Sequence, residues 1–153
     1  MLNLDSIDKK ILKALQKDGQ TSNLELAVQV ALSPSACSRR VKTLEENGYI
    51  EKYVALLNPK KIHLNFMVMV SVTLKTHDTK IMDNFESSTK KMPEVIQCYL
   101  TAGQSADYVL KVVVKDLEEY QSFLLKKLTK IEGVTSVQSV FILKNIVNKT
   151  EFP

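Results

Sequence analysis

Apolar residues recur at helical spacing from the start of the chain. Ile7, Ile11, Leu12 and Leu15 mark one face of a helix that Asp5 is placed to cap and Asp18-Gly19 to end. Ser22 and Glu25 form an S-x-x-E capping box ahead of Leu24, Leu26, Ala27 and Val30, which starts a second helix. Ser33 then reads as an N-cap and Pro34 as the first helical residue, since proline's missing N–H costs nothing there. This third helix turns Cys37, Val41 and Leu44 inward, runs to about Asn47 and stops at Gly48, which suits the left-handed position. Tyr49 to Leu57 has the composition of short extended segments, broken by Glu51-Lys52.

The rhythm changes after Asn58-Pro59-Lys60-Lys61, a run with turn chemistry. Phe66 to Leu74 alternates Val68, Val70, Val72 and Leu74 on one face, as a strand does; Thr79 to about Met92 is helical, and Pro93 stops it. Val95 to Leu100 and Tyr108 to Val114 read as strands. Asp116 and Glu119 make another capping box before the stripe Leu117, Tyr120, Phe123, Leu124, Leu128 and Ile131. Gly133 ends that helix, and Thr135 to Leu143 supplies a last strand. The expected fold is α+β: a winged helix-turn-helix domain over residues 1–57, a linker over 58–65, and a ferredoxin-like βαββαβ domain over 66–153. In the second domain both helices cover one sheet face. Met67, Met69, Val109 and Val113 make the other face apolar too, so a second subunit is expected to bury it.

Composition narrows the classes without choosing among them. The chain has 153 residues, 44% hydrophobic and 25% charged, which excludes collagen-like, disordered and low-complexity proteins. Its apolar runs are a few residues long, far below the ~20 that cross a bilayer, and the opening residues do not read as a leader. Cys37 and Cys98 are too far apart for a CxxC pair and are expected to be buried; His63 and His77 sit in connecting segments without metal-ligand spacing. No metal and a cytoplasmic location are the expectations. No nucleophile–base constellation, Walker loop or GxGxxG occurs, and Glu45-Glu46 and Glu118-Glu119 splay apart on helices as solvated charge. The chain does not read as an enzyme.

The net charge of +4 is shared almost evenly between the two parts, so bulk charge identifies no partner. Local charge says more. From Ser33 to Thr43 there are three cations, Arg39, Arg40 and Lys42, and no acid. A helix entering the ~12 Å major groove needs polar and cationic side chains toward its N-terminal half. Ser35, Ser38, Arg39 and Lys42 project opposite Cys37, Val41 and Leu44 and meet that need. Arg39 is the candidate for bidentate bonds to guanine; Ser35, Ser38, Arg40 and Lys42 are candidates for phosphate, and the helix start at Ser33 offers free N–H groups to another. On spacing alone, a solvated basic face on a small helical domain remains an open alternative.

The run from Leu32-Ser33-Pro34-Ser35 through Arg39-Arg40-Val41-Lys42 to Gly48-Tyr49-Ile50 resembles the recognition-helix signature of the Lrp/AsnC family of bacterial and archaeal regulators. The opening Leu4-Asp5-Ser6-Ile7-Asp8 and the later Tyr53-Val54-Ala55-Leu56-Leu57-Asn58-Pro59 are similar to that family's flanks. The resemblance implies a transcriptional regulator that binds double-stranded DNA as a homodimer assembling to an octamer, with an amino-acid effector between subunits. Gly103-Gln104-Ser105-Ala106-Asp107-Tyr108 resembles the family's G-D-x-D-Y loop, though Gln104 replaces the acid and the loop is one residue longer. Thr135 and Ser136 resemble its neighbouring polar contact, and Thr101 leads into the loop. With no acid after Gly103, the expected effector is a small apolar amino acid, leucine or methionine. The alternative is a sensing or interaction protein of this fold that no longer binds DNA.

Overall fold

The computed structural model describes residues 3–103 and 106–152, and divides them into two compact units. The first holds α1 (Ser6–Lys17), α2 (Asn23–Gln29) and α3 (Pro34–Glu46). Each helix begins where a side chain caps it. The Asp5 carboxylate accepts from the N–H groups of Ile7 and Asp8 while Asp8 bonds back to Asp5, and Ser22 and Glu25 make the same reciprocal pair on α2. Ser33 accepts from the Ala36 N–H at the start of α3, with Pro34 behind it. Ile11, Leu26, Ala27, Val30, Cys37 and Leu44 pack into one core. Leu24, 66% exposed, lies with Val28 on the outer side of α2, because this two-turn helix and its C-cap turn only Leu26, Ala27 and Val30 to the core.

Two features of this unit depart from the sequence pattern. Residues 50–58 are irregular where short extended segments were expected; the Tyr53 hydroxyl donates to Glu45 at 3.0 Å and ties this stretch to the end of α3. Residues 146–152, counted from sequence with the sheet domain, belong to the first unit: Thr150 donates to the Gln16 carbonyl at 3.2 Å, and the Phe152 N–H donates to the Gln16 side chain at 2.8 Å.

The second unit runs from Leu57 to Asn145. A short helical turn at Pro59–Ile62, capped by Asn58, precedes β1 (Phe66–Leu74), α4 (Thr79–Thr89), β2 (Val95–Leu100), β3 (Tyr108–Val114), α5 (Leu117–Lys126) and β4 (Val134–Phe141). The sheet order is β2-β3-β1-β4, every neighbouring pair antiparallel. That is the ferredoxin-like arrangement. Val68, Val70, Val72 and Leu74 of β1 and Tyr108, Leu110, Val112 and Val114 of β3 pack with Phe85, Tyr120 and Phe123 on the helix-covered face. On the opposite face Met67, Met69 and Val109 are half-buried, and Val140 of β4 is 61% exposed. Asp116 caps α5 through the Glu119 N–H, but Glu119 turns back to the Lys115 N–H, so the expected capping box is closed one residue early. Gly133 (φ +94°) is where glycine is required: a Cβ there would stand 2.4 Å from Ile81 Cγ2.

Candidate nucleic-acid interface and effector site

The turn between α2 and α3 is held by Leu32 N–H to Ala27 O at 2.9 Å, and the Asn23 side chain donates to Pro34 O at 2.9 Å. Ala31 takes a left-handed φ of +56° to make this turn. Beyond it, α3 buries Cys37 and Leu44 and leaves Ser33, Ser35, Ser38, Arg39 and Lys42 exposed. The four outward residues Ser35, Ser38, Arg39 and Lys42 share one arc of the helix. The Ser33 hydroxyl is occupied by its cap bond and lies 3.3 Å from that of Ser35. Lys42 keeps a loose contact with Glu46, 3.7 Å away and one turn on; among the described residues Arg39 makes no ion pair.

Arg40, expected among the phosphate contacts, lies off the outer arc and is held by two carboxylates. Its guanidinium Nη1 donates to Asp5 Oδ2 and to Asp8 Oδ1, each at 2.7 Å. The reason is helical geometry: one residue beyond Arg39 is about 100° around the helix, which turns Arg40 from the outer arc toward α1. The Asp8 N–H and then the Arg40 guanidinium hold the Asp5 carboxyl below the usual range.

Of the residues expected to bind an effector, those the structure describes gather at one end of the sheet, where β1 and β2 finish and β3 and β4 begin. Thr101 donates its hydroxyl to Ala106 O at 2.8 Å and its N–H to Asp107 O at 2.8 Å, closing the loop. Asp107 is the hub. Its N–H donates to Val72 O, its Oδ2 accepts from the Leu74 N–H at 2.7 Å, and its Oδ1 meets His77 Nε2 at 2.7 Å. The Leu74 N–H, with the His77 ring beside it, holds the Asp107 carboxyl below the usual range. Thr135 donates to Thr73 O at 3.0 Å, and Ser136 stands opposite Thr73. Gly103 is exposed, with open space where a Cβ would sit. Gln104 and Ser105 lie outside the described residues.

Two expected contacts are committed within the unit. Both Asp107 carboxylate oxygens have partners, and Tyr108 is buried on the helix side, where its hydroxyl donates to Glu86 at 2.9 Å and burial pushes its pKa up. A cavity of about 250 Å³ opens beside it, lined by Glu86, Thr89, Lys90, Cys98 and Leu100. Cys98, expected to be buried, is exposed because β2 is an edge strand, whereas Cys37 is buried as expected. The pairing of His77 with Asp107 was not readable from sequence, since 30 residues separate them.

A family model described as "Lrp/AsnC ligand binding domain" matches residues 67–152. The chain belongs to the Lrp/AsnC family. A second model, "Winged helix-turn-helix DNA-binding", matches residues 4–51. The leucine-responsive regulatory protein of Klebsiella pneumoniae is 38% identical over 144 residues, covering 94% of this chain and 87% of that one. Among solved structures, a transcriptional regulator from Neisseria meningitidis in complex with L-Met superposes with a TM-score of 0.94 at 38% identity, over 99% of this chain and 97% of that one. An AsnC family transcriptional regulator from Agrobacterium tumefaciens gives 0.92 at 37% identity, over 98% and 97%. This Lrp/AsnC protein is therefore a DNA-binding transcriptional regulator with an amino-acid-binding domain, and its family is not enzymatic. Among the described residues no helix is long and apolar enough to cross a membrane.

Proposed function

We propose that Ser35, Ser38, Arg39 and Lys42 are the groove-facing residues, with Arg39 on base edges, the other three on phosphate, and the α3 start at Ser33 against a further phosphate. The observation that carries this is the outer arc of α3, polar and exposed along its length while Cys37 and Leu44 are buried opposite. One such helix makes few contacts. Binding strength then comes from two copies joined through the open sheet face and reading two half-sites about 34 Å apart, or a multiple of that. The working form is a homodimer that assembles further to an octamer in the cytoplasm.

The effector is leucine or methionine, held at a subunit interface by the backbone around Gly103 and Ala106 with Thr101, Thr135 and Ser136. Asp107 shapes the loop from within, and Tyr108 walls it. Three things support an aliphatic ligand: the neutral Gln104, the similarity to leucine-responsive regulatory proteins, and the L-Met bound to the Neisseria regulator. Titration calorimetry against the twenty amino acids tests the effector: leucine or methionine should bind most tightly, and binding of charged amino acids alone would overturn it. Mobility shifts on the DNA upstream of the protein's own gene test the groove face, where Arg39→Ala with Lys42→Ala should lose binding.

A further inference from the structure

The three cations of α3 differ in what holds them. Arg39 points outward without an ion pair among the described residues, Lys42 has only Glu46 at 3.7 Å, and Arg40 bonds two carboxylates at 2.7 Å. Those carboxylates are not loose surface groups. Asp5 is the N-cap of α1 and accepts from two of its backbone N–H groups at 2.8 Å; Asp8, 7% exposed, bonds back to the Asp5 N–H. The capping box that starts α1 is therefore the socket that receives a side chain from the middle of α3. Both acids are fixed by backbone before the guanidinium arrives, so little side-chain freedom is lost in making the contact.

We propose that Arg40 is a positioning residue for DNA recognition: by gripping the capped start of α1 it sets the rotation of α3, and thereby where Ser35, Ser38, Arg39 and Lys42 point, without itself holding phosphate. Charge favours this role. Two acids around one cation leave the cluster with a surplus negative charge, a poor receiver for a phosphate. The position favours it too, about 100° round the helix from Arg39. A contact between rigid elements also transmits orientation, and small misplacements of a binding side chain are costly. This inference rests on the groove-face assignment above.

The test uses the full-length protein and a duplex carrying its own upstream region, with affinity measured over a salt series well below the melting temperature. Asp5→Asn is the sharpest variant, because asparagine caps as well as aspartate while its charge is gone. Removing an acid from a DNA-binding domain ordinarily tightens binding. Arg40's grip requires the reverse, a loss of roughly fivefold or more, comparable to one base contact made badly. Asp8→Asn and Arg40→Gln should weaken binding likewise, and pairing either with Asp5→Asn should add less than the sum of the two losses. In all three the slope of log affinity against log salt stays at the parent's value, while Lys42→Ala, which removes a phosphate contact, makes it shallower. Circular dichroism confirms which variants are folded; if Asp8→Asn is not, Asp5→Asn and Arg40→Gln decide. Binding by Asp5→Asn as tight as the parent's, or a slope reduced by about 0.9 in Arg40→Gln, overturns the proposal. Full-strength binding by Arg39→Ala with Lys42→Ala overturns the groove face instead.

Discussion

Single residues at the effector end of the sheet carry more structure than their polarity suggests. Asp107 joins β1, the loop and His77 through both carboxylate oxygens, and one of its partners is the N–H of the buried Leu74. Asp107→Ala leaves that N–H unpaired and should cost roughly 1–3 kcal/mol in urea unfolding. Because the folded state holds this carboxyl below its ordinary range, the ionised form is favoured on folding. Its contribution is complete above the unfolded value of about 3.9 and is lost as pH falls through the lowered folded value. The stability gap between the parent and Asp107→Asn should therefore narrow as the solution is acidified below about pH 4. Gly133 gives a second test. Its left-handed φ and the close Ile81 methyl mean that Gly133→Ala should destabilise by roughly 1–3 kcal/mol on thermal unfolding.

Elements were legible where their signals are local. The alternation of Val68, Val70, Val72 and Leu74 marks β1 over the same nine residues the structure shows, and Ser22–Glu25 starts α2 where the capping box predicts. Such signals span three or four residues, the reach of a cap or a pleat. What escaped depends on distance along the chain. Arg40 meets partners 35 and 32 residues upstream, His77 meets Asp107 30 residues on, and the 146–152 stretch returns to Gln16. No periodicity encodes those meetings. The outer arc of α3 was legible because helical spacing alone puts Ser35, Ser38, Arg39 and Lys42 together, but the same spacing could not show that Arg40 had acids waiting for it. The left-handed Ala31 of the α2–α3 turn was not legible either, since nothing local marks it. Ala31→Gly should relieve that strain and raise stability by roughly 0.5–1 kcal/mol, once glycine's extra freedom in the unfolded chain is set against the left-handed cost for alanine. Ser33→Ala should lower it by about 1 kcal/mol through the lost cap.

For the whole molecule, the proposed pairing would link the work of the two units. The open sheet face carries Met67, Met69, Val109 and Val140, an apolar surface that water disfavours and a second copy would cover. Met69 stands opposite Lys111 and Val140 on that face, away from the helix-packed core, so Met69→Glu should leave the fold intact while placing a charge in the middle of the pairing surface. Sedimentation should then show smaller species, and operator affinity should fall by about a hundredfold as the second helix stops binding intramolecularly. The most direct test addresses the helix that such pairing serves: titrate Arg39→Ala with Lys42→Ala against the upstream duplex from low to high salt. The account predicts a folded protein with the parent's melting temperature, severely weakened binding and a shallower salt dependence, because both side chains are exposed and neither supports the core. A double variant that binds with the parent's affinity and salt slope would contradict it.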